Sequence, residues 1–568
     1  MLKVEPLHRP ERRFYFDVKW LFIFVIVAFM LIFQVFPLIY MVYRALFSTG
    51  TFSLDALKRI YTYDLNWVSL KNTLIGATLA MLFGTLIAFP LAWLVGRTNM
   101  YGRKLFRSLF VLTYMVPPYL GAMAWLRLLN PKVGNLNVFL RDLLGLAENP
   151  FNIYTLGGLV WVLTSFYYPY AFITISRAME KMDPSLEEAS RASGASPLRT
   201  LLTVTLPMMT PSIVSGAMLV FVSAASCFGI PSIVAMPGNI YTVTTRIVNY
   251  VSIGSAEGLT DATCLALFLM LMAAVILYSS DFIVGRKQYI TVSGKSTRPN
   301  IVDLGKLRIP ITLLVAAFAF VVIILPFGTV AVTSITKNLG KSLLAEGNFT
   351  LKHWQTVLSR DRILQGMRNS LSYAAIAATA GILIACVMAY LLQRTKVRGR
   401  RIPDFLITLG SGSPSVVIAL GLIMTMTGRF GINIYNTMYI MIVAYLIKYQ
   451  MMGMRTVVSA MSQIHVSLEE SSQVSGASWL LTMRRVTLPL IGPSIAAGWF
   501  LIFIPSFYEL SMSTLLYSSN TVVIGVQLHE YWTFTSQQQA SAMAFGILIV
   551  VVVLNFILSK LTKGNFSI

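Results

Sequence analysis

Charged residues are scarce in this chain of 568 residues, and acidic residues are the scarcest. Asp, Glu, Lys and Arg together make up 12% of the sequence, whereas hydrophobic residues make up 56% and the mean hydropathy is +0.71. Soluble domains carry about 25% charged residues, so this composition excludes an ordinary soluble protein. The sequence has 45 basic residues against 22 acidic ones, which leaves a net charge of +23. A very apolar, basic chain is expected to be a membrane protein.

The excess of positive charge does not indicate a nucleic-acid-binding protein. Such a protein needs its cations on a water-exposed face, whereas here they form short clusters between long apolar runs. Three clusters lie near 97–107, 286–308 and 394–401. Basic clusters between spans mark the cytoplasmic loops of membrane proteins. This distribution predicts that both termini are cytoplasmic.

Cysteine and histidine are nearly absent, with three and four residues respectively. Cys227, Cys264 and Cys386 all lie in apolar runs, which predicts small buried side chains rather than disulfides or metal ligands. The histidines are scattered and form no His-Glu-x-x-His motif. We therefore expect no metal site, no catalytic residues and no cofactor bound by this chain.

The sequence also lacks an ATPase motif. The tripeptides at 294–296 and 340–342 read Gly-Lys-Ser, as at the end of a phosphate-binding loop. Tyr289 and Ile335 stand where such a loop requires its first glycine. Neither segment is expected to bind nucleotide, so any ATP hydrolysis must come from a partner.

Long apolar runs occur twelve times, and each is long enough to cross a bilayer as a helix. The first is too long for the apolar core of a signal peptide and is interpreted as a retained span. The sequence thus predicts an all-α polytopic membrane protein with about twelve transmembrane helices, six in each half. The expected spans are 20–43, 69–95, 105–129, 156–179, 211–235, 263–285, 308–334, 368–392, 403–427, 435–459, 491–514 and 541–560.

The chain contains an internal duplication. Residues 185–216 and 467–498 share 19 identities in 32 positions without a gap, at a constant offset of 282. Earlier in each half the offset is 297, as between Pro117 and Pro414. The first half therefore holds an insertion, for which we expect a short interfacial helix. Both repeats begin in the cytoplasm, so they are predicted to be parallel repeats.

This duplication predicts two permease-sized halves joined by a cytoplasmic linker. The expected boundaries are 1–290 for the first half, 291–307 for the linker and 308–568 for the second half. Each half holds one copy of the duplicated loop, at 183–207 and 465–489. The topology places both loops in the cytoplasm, after spans four and ten.

The duplicated loop predicts two short helices with a sharp bend between them. In the first copy Ser185 and Glu188 have the spacing of a capping box. Gly194 suits the left-handed position that ends a helix, and Ser196 suits the N-cap of the next one. The corresponding residues of the second copy are Ser467, Glu470, Gly476 and Ser478.

The spacing of Glu188-Ala189-Ser190, Gly194 and Pro207 resembles the EAA loop of binding-protein-dependent ABC importer permeases. Glu470-Ser471-Ser472, Gly476 and Pro489 repeat the pattern. The resemblance implies that each loop docks on a cytoplasmic ATPase subunit, and two copies in one chain imply a fused permease. The coupling residues it implies are Glu187, Glu188, Ala189, Gly194 and Pro207 in the first half, and Glu469, Glu470, Ser471, Gly476 and Pro489 in the second.

What the resemblance implies extends to partners and location. The expected partners are two ABC ATPase subunits that bind ATP and magnesium, an extracytoplasmic solute-binding protein and the lipid bilayer, with no nucleic acid. The expected location is the bacterial inner (plasma) membrane. The permease would be a transport subunit and not itself an enzyme.

Two segments narrow the resemblance to the ferric-iron uptake type. Residues 289–295 look like its inter-half segment, and Tyr508-Glu509-Leu510-Ser511 looks like the end of its eleventh span. Polyamine, thiamine and phosphonate permeases share the fused architecture and stay as alternatives. The rival from another class is an ion-coupled secondary transporter, which needs an intramembrane proton relay; this chain offers mainly Glu509 for that role.

Lys448 and Glu509 are ionisable residues inside expected spans, and such residues often line a transport path. The alternative is a structural ion pair, or side chains that reach the membrane interface. Tyr167, Tyr168 and Tyr170 offer phenolic oxygens to a ferric ion, or they belong to an interfacial aromatic belt. We predict these five residues as candidates for the translocation path.

Overall fold

The computed structural model describes residues 18–48, 50–286, 301–339 and 346–561. Within them the chain is helical, and only isolated β-bridges occur. The prediction of an all-α fold is confirmed. Most of the expected linker and both Gly-Lys-Ser tripeptides lie outside the described residues, as do the first 17 residues, so the domain boundaries stay a prediction.

The long helices of the two halves correspond in order. Those of the first half are α1 (Val18–Met30), α2 (Phe36–Leu46), α3 (Asp55–Thr62), α4 (Asp64–Arg97), α5 (Arg103–Met115), α6 (Pro118–Leu129), α7 (Asn135–Leu144), α8 (Leu156–Lys181), α9 (Ser185–Ala192), α10 (Pro197–Thr200), α11 (Leu206–Ala225), α12 (Val243–Ser252) and α13 (Ala256–Arg286). Those of the second half are α14 (Arg308–Ala319), α15 (Leu325–Ser334), α16 (Lys352–Ser359), α17 (Asp361–Arg394), α18 (Arg401–Gly412), α19 (Ser415–Thr425), α20 (Met438–Gln463), α21 (Val466–Val474), α22 (Trp479–Thr482), α23 (Leu488–Phe507), α24 (Ser513–Leu516), α25 (Ile524–Glu530) and α26 (Gln537–Leu561).

Equal lengths make the repeat plain. Helices α4 and α17 have 34 residues each, α8 and α20 have 26, and α11 and α23 have 20. Helix α7 has no counterpart in the second half, which confirms the short helix expected in the insertion. A single π-helical turn precedes α11 at Leu201–Thr205 and α23 at Met483–Thr487, again in equivalent places. Such turns are frequent at functional sites.

Nine helices of the described residues are long and apolar enough to cross a membrane, or eleven if each of two bent pairs is one span. The expected spans 105–129 and 403–427 are these bent pairs, broken by 102° and 107°. Both breaks occur at a proline, Pro117 or Pro414, whose preceding residue is extended. The expected span 435–459 forms helix α20, which is not among these candidate spans. Its central residues Lys448 and Gln450 lower its mean hydropathy.

The first span of each half packs on the opposite half. Helices α1 and α2 contact α18 and α19, while α14 and α15 contact α5 and α6. Within each half, a central group of three long helices packs together: α4 with α8 and α11, and α17 with α20 and α23. Their close approach depends on small residues, which drive helix packing in membranes where no hydrophobic effect operates. The buried small residues of α4 are Gly76, Ala77, Ala80, Gly84, Ala88 and Ala92.

The outer faces of these helices carry large exposed apolar side chains. Phe24, Leu86, Leu314 and Leu383 are all more than 60% exposed. Single exposed apolar side chains are common on soluble proteins. Many large exposed apolar side chains along helices of membrane-spanning length are expected of a surface that faces lipid. Among the cysteines, all free thiols, Cys227 and Cys264 are buried and Cys386 is half-buried.

Candidate coupling loops and translocation path

Both duplicated loops form a short helix, a glycine bend and a second short helix. Gly194 lies at φ +86° and Gly476 at φ +88°, the left-handed region that glycine adopts without strain. After α9, the Ala195 amide donates to the Ser190 carbonyl (3.2 Å) and the Gly194 amide donates to the Arg191 carbonyl (3.0 Å). These two bonds are the Schellman pattern. The second copy repeats it at Ala477 and Gly476, so the predicted bend is confirmed.

Hydroxyl groups hold the two sides of each bend together. The Ser196 hydroxyl accepts from the Arg199 amide (3.3 Å), which confirms Ser196 as an N-cap. Ser190 and Thr200 share a hydrogen bond of 3.0 Å across the bend. In the second copy Ser478 caps α22, and Ser472 and Thr482 share the equivalent bond, also 3.0 Å.

The capping boxes predicted at Ser185–Glu188 and Ser467–Glu470 are wrong. Ser185 lies inside α9, and its amide donates to the Asp183 carboxylate at 2.9 Å. Ser467 lies inside α21, and its amide donates to the ring of His465 at 3.3 Å. The side chain two residues before each serine accepts the hydrogen bond from the serine amide, one of the amides that the start of the helix leaves free. The serine therefore lies in the first turn of the helix and does not cap it.

The two adjacent glutamates of each copy have opposite environments. Glu187 and Glu469 are each 7% exposed, whereas Glu188 and Glu470 face solvent. Glu187 lies 3.6 Å from a guanidinium nitrogen of Arg97 and accepts a hydrogen bond from Thr205 (2.7 Å). Glu469 accepts hydrogen bonds from Arg394 (2.9 Å) and Thr487 (3.2 Å).

Both arginines also hold the ends of neighbouring helices. Arg97 donates to the carbonyls of Met179 (2.8 Å) and Met182 (3.2 Å), where α8 ends. Arg394 does the same at the end of α20, to Met461 (3.3 Å) and Ile464 (2.9 Å). A cation at a helix C-terminus satisfies free carbonyls and the helix dipole. Each buried Arg–Glu–Thr cluster therefore joins the duplicated loop to three long helices.

Sequence reasoning missed these arginines because it assigned them only to cytoplasmic basic clusters. Arg97 and Arg394 are separated by 297 positions, the offset that relates the early parts of the two halves. A buried partner for each glutamate was not visible from local spacing, since Arg97 lies 90 residues before Glu187. Thr205 and Thr487 were present in the duplicated segment without a predicted role.

The solvent-exposed face of each loop carries apolar and acidic side chains. Around Glu188 and Ala189 lie Leu186 and Leu198, which are 48% and 64% exposed. Around Glu470 and Ser471 lie exposed Leu468, Val474 and Leu480. Pro207 and Pro489 follow the π-helical turns at Leu201–Thr205 and Met483–Thr487, within helices that run on from α10 and α22. Exposed apolar groups on a rigid element form a surface suited to docking.

Lys448 is held at the break between α18 and α19. Its ammonium donates to the carbonyls of Ser411 (3.1 Å) and Ser413 (2.7 Å). These carbonyls lie at the end of α18, so the cation satisfies groups that the helix leaves free. At the equivalent position of the first half, Phe166 fills the space beside Gly121.

Glu509 lies between α23 and α24 and is 5% exposed. It accepts from the amides of Met512 (3.0 Å) and Ser513 (2.9 Å) and from the Ser513 hydroxyl (2.7 Å). The salt bridges of the described residues do not include a Lys448–Glu509 pair. Both charges are thus anchored to backbone groups at helix breaks. Whether they line the path stays a prediction.

The three candidate tyrosines lie in the middle of α8 and face different neighbours. Tyr170 packs on Tyr114, with ring centroids 4.7 Å apart, and on Tyr167 at 5.5 Å. Tyr168 is fully buried against Phe110 and Phe318. The structure therefore brings Tyr167 and Tyr170 into one aromatic cluster and places Tyr168 elsewhere.

A duplicated polytopic helical fold with two equivalent loops, each held by a buried Arg–Glu–Thr cluster, defines a two-half membrane permease. Residues 88–286 and 381–563 match the family described as binding-protein-dependent transport system inner membrane component. The chain belongs to this family and contains its domain twice.

Several curated relatives resemble most of the chain. It is 24% identical to the ferric transport system permease protein FbpB of Actinobacillus pleuropneumoniae, over 84% of this chain and 67% of that one. It is 25% identical to the Fe(3+)-transport system permease protein FbpB 2 of Haemophilus influenzae, over 90% and 92%. The spermidine/putrescine transport system permease protein PotC of Escherichia coli is 26% identical over 38% of this chain and 83% of its own length.

Proposed function

We propose that the two halves of this chain together form the transmembrane path of an ATP-driven ferric-iron importer. It receives iron from an extracytoplasmic binding protein and passes it between the two halves. The observation that carries the proposal is the pair of identically built loops, each tied to long helices by a buried Arg–Glu–Thr cluster. The similarity of nearly the whole chain to two ferric permeases supports the substrate.

Each loop is the docking element for one cytoplasmic ABC ATPase subunit, and these subunits hold ATP and magnesium. Glu188 and Glu470 lie on the exposed apolar faces, while Glu187 and Glu469 fix those faces to the membrane helices. Nucleotide-driven approach of the ATPases moves both loops and rocks the halves, which gives alternating access. This arrangement requires both termini to be cytoplasmic.

The path runs between the central helices of the halves. Tyr167 and Tyr170 belong to its wall on the side of α8, and Lys448 and Glu509 belong to its wall on the side of α20 and α23. Tyr168 is retained as a candidate from its sequence position, although its packing against Phe110 and Phe318 argues for a structural role.

A polyamine is the second candidate cargo, because PotC matches part of the chain. The two are separated in proteoliposomes that contain the full chain with its ATPase. Iron-loaded and polyamine-loaded binding proteins are added outside, and ATP hydrolysis and solute uptake are measured. We expect the iron-loaded protein to stimulate both. Stimulation by the polyamine-loaded protein alone would transfer the proposal to polyamines, and ATP-independent uptake driven by an ion gradient would overturn it.

Docking is tested by a double variant, Glu188→Ala with Glu470→Ala. It should fail to retain the ATPase during purification while the permease keeps its thermal stability, because both side chains are exposed. Full retention of the ATPase would contradict the assignment of these loops.

A further inference from the structure

The end of the linker lies against the first duplicated loop. The Val302 amide donates to the carbonyl of Arg97 (2.8 Å), and the Val302 carbonyl accepts from the amide of Asn99 (3.2 Å). Val302 is half-buried and lines a small cavity beside Arg97. Trp93 of α4 and Pro197 of the loop line the same cavity. The linker is therefore attached to the arginine whose side chain holds the loop.

This cavity lies beside the loosely paired side of the first Arg–Glu–Thr cluster. Arg97 is buried, and its Nε and Nη1 atoms make no hydrogen bond. Its Nη1 atom lies 3.6 Å from the carboxylate of Glu187, and both residues line the cavity, which has room for about one water molecule. An ion pair is stronger where water is excluded. Val302 forms one wall of the cavity, so it limits the access of water to the Arg97–Glu187 pair.

The second half closes the equivalent position with side chains of its own. Tyr390 stands at the equivalent of Trp93, and Trp479 stands at the equivalent of Pro197. The indole nitrogen of Trp479 donates to the Tyr390 hydroxyl (2.9 Å), and the two rings pack edge to face with centroids 5.6 Å apart. The Arg–Glu pair of this half is the closer one, at 2.9 Å. Trp479 thus fastens the second loop to α17, a contact that a proline cannot make.

The attachment of the linker continues into the first helix of the second half. Asp303 accepts from the side-chain amide of Asn99 (2.6 Å). The Tyr101 amide donates to the hydroxyl of Thr312 (3.2 Å) in α14. The Arg308 guanidinium lies 3.7 Å from the centre of the Tyr101 ring, a cation–π contact. A segment that opens the second half is therefore held on the turn that follows α4.

We propose that Val302 is a positioning residue for the first duplicated loop and that Trp479 has the same role for the second. Val302 shields the Arg97–Glu187 pair from water, and Trp479 fastens its loop through Tyr390. The first loop thereby depends on a segment that leads into the second half, whereas Trp479 and Tyr390 both belong to the second half. The proposal rests on the proposed function for the coupling role of the loops, but not for the placement of these residues.

The placement is tested by hydrogen exchange of the purified full chain, without ATPase. Matched reporters are the amides of Thr200 and Thr482, each of which donates at 2.9 Å to the carbonyl of the N-cap serine of its loop. Val302→Ala should accelerate exchange about tenfold at Thr200 only, which corresponds to about 1.4 kcal/mol of opening free energy. Trp479→Ala should do so at Thr482 only. Both side chains are partly exposed, so both variants should fold. Equal acceleration in both loops, or none in the expected loop, would overturn the proposal.

A transplant tests whether the two residues are equivalent. In the Val302→Ala chain, the further changes Trp93→Tyr and Pro197→Trp install the ring pair of the second half in the first half. They should restore slow exchange at Thr200. Exchange that stays as fast as in Val302→Ala alone would overturn the equivalence of Val302 and Trp479.

The coupling role is measured in the assembled importer as solute uptake per ATP hydrolysed. Val302→Ala and Trp479→Ala should each lower this ratio while the purified chain keeps its unfolding temperature. A merely structural role would lower the unfolding temperature and leave the ratio unchanged. Wild-type ratios in both variants would overturn the coupling role. Loop-specific exchange in a chain that shows no ATP-driven uptake would instead contradict the proposed function and leave the positioning roles in place.

Discussion

The two halves are nearly identical in their duplicated loops and differ between their long helices. The coupling loops agree in bend angle, caps and buried Arg–Glu–Thr cluster. Between the central helices, equivalent positions carry different chemistry. These pairs are Tyr114 and Ser411, Phe166 and Lys448, Tyr168 and Gln450, Ser226 and Tyr508, and Cys227 and Glu509. Under the proposed function, docking on two ATPase subunits requires two equal loops, whereas one solute that passes along one path does not require equal walls.

The clusters differ in one detail. Arg394 donates directly to Glu469 at 2.9 Å, whereas the closest approach of Arg97 to Glu187 is 3.6 Å and two of its guanidinium nitrogens make no hydrogen bond. In the first half Thr205 is the closer partner of the glutamate (2.7 Å), and in the second half the arginine is. The second cluster is therefore the more tightly paired.

The largest effect is expected from removing the buried acids. Glu469→Ala and Glu187→Ala each leave a buried arginine without its counter-charge, and breaking such a pair costs about 3–5 kcal/mol. Glu469→Ala should lower the thermal unfolding temperature of the purified chain more, because its pair is closer. The exposed neighbours give matched controls, since Glu470→Ala and Glu188→Ala should leave that temperature unchanged. Equal losses in buried and exposed variants would show that the clusters do not hold the loops.

A smaller effect is expected at Lys448, where the halves differ. Lys448→Met leaves the carbonyls of Ser411 and Ser413 without donors, at about 1–3 kcal/mol for an unsatisfied buried group. Lys448→Arg keeps a donor and should recover part of the loss. Unfolding temperature and iron uptake are both measured. If Lys448→Met keeps full stability and loses only uptake, the lysine belongs to the path and not to the helix break.

Sequence reasoning recovered what local pattern determines. The bend at Gly194 requires only a residue that adopts left-handed backbone angles after a short helix. The constant offset between the repeats predicts the second bend at Gly476. Hydropathy does not predict the breaks at Pro117 and Pro414, because it reports how apolar a run is and not its direction. The predicted capping boxes do not form because Asp183 and His465 accept the hydrogen bonds from the amides of Ser185 and Ser467. The pairing of Glu187 with Arg97 depends on tertiary contact and has no local signature.

The glycine bends should respond equally in the two halves. Gly194 and Gly476 have nearly equal φ, and a Cβ atom on either would meet nothing within 4 Å. Alanine is thus penalised only by its backbone conformation, at about 1–2 kcal/mol for a left-handed residue. Gly194→Ala and Gly476→Ala should each reduce uptake per ATP hydrolysed. Gly492→Ala in α23, also in open space but helical, should have no effect. Unequal effects at the two bends would contradict the equivalence of the loops.

The smallest expected effect concerns a contact that only the first half makes. Asp303, at the end of the linker, accepts from the side-chain amide of Asn99 (2.6 Å), and the Leu304 amide donates to the Asn99 side chain (3.1 Å). Lys396 stands at the equivalent of Asn99 in the second half. The Gly305 amide and the Asn99 side chain hold the pKa of Asp303 below its ordinary value, so the contact is present at neutral pH and is lost as pH falls through that lowered pKa. Asp303→Ala should increase hydrogen exchange at the Val302 and Leu304 amides without changing ATP hydrolysis. Unchanged exchange would mean that the backbone bonds of Val302 with Arg97 and Asn99 hold the linker on their own.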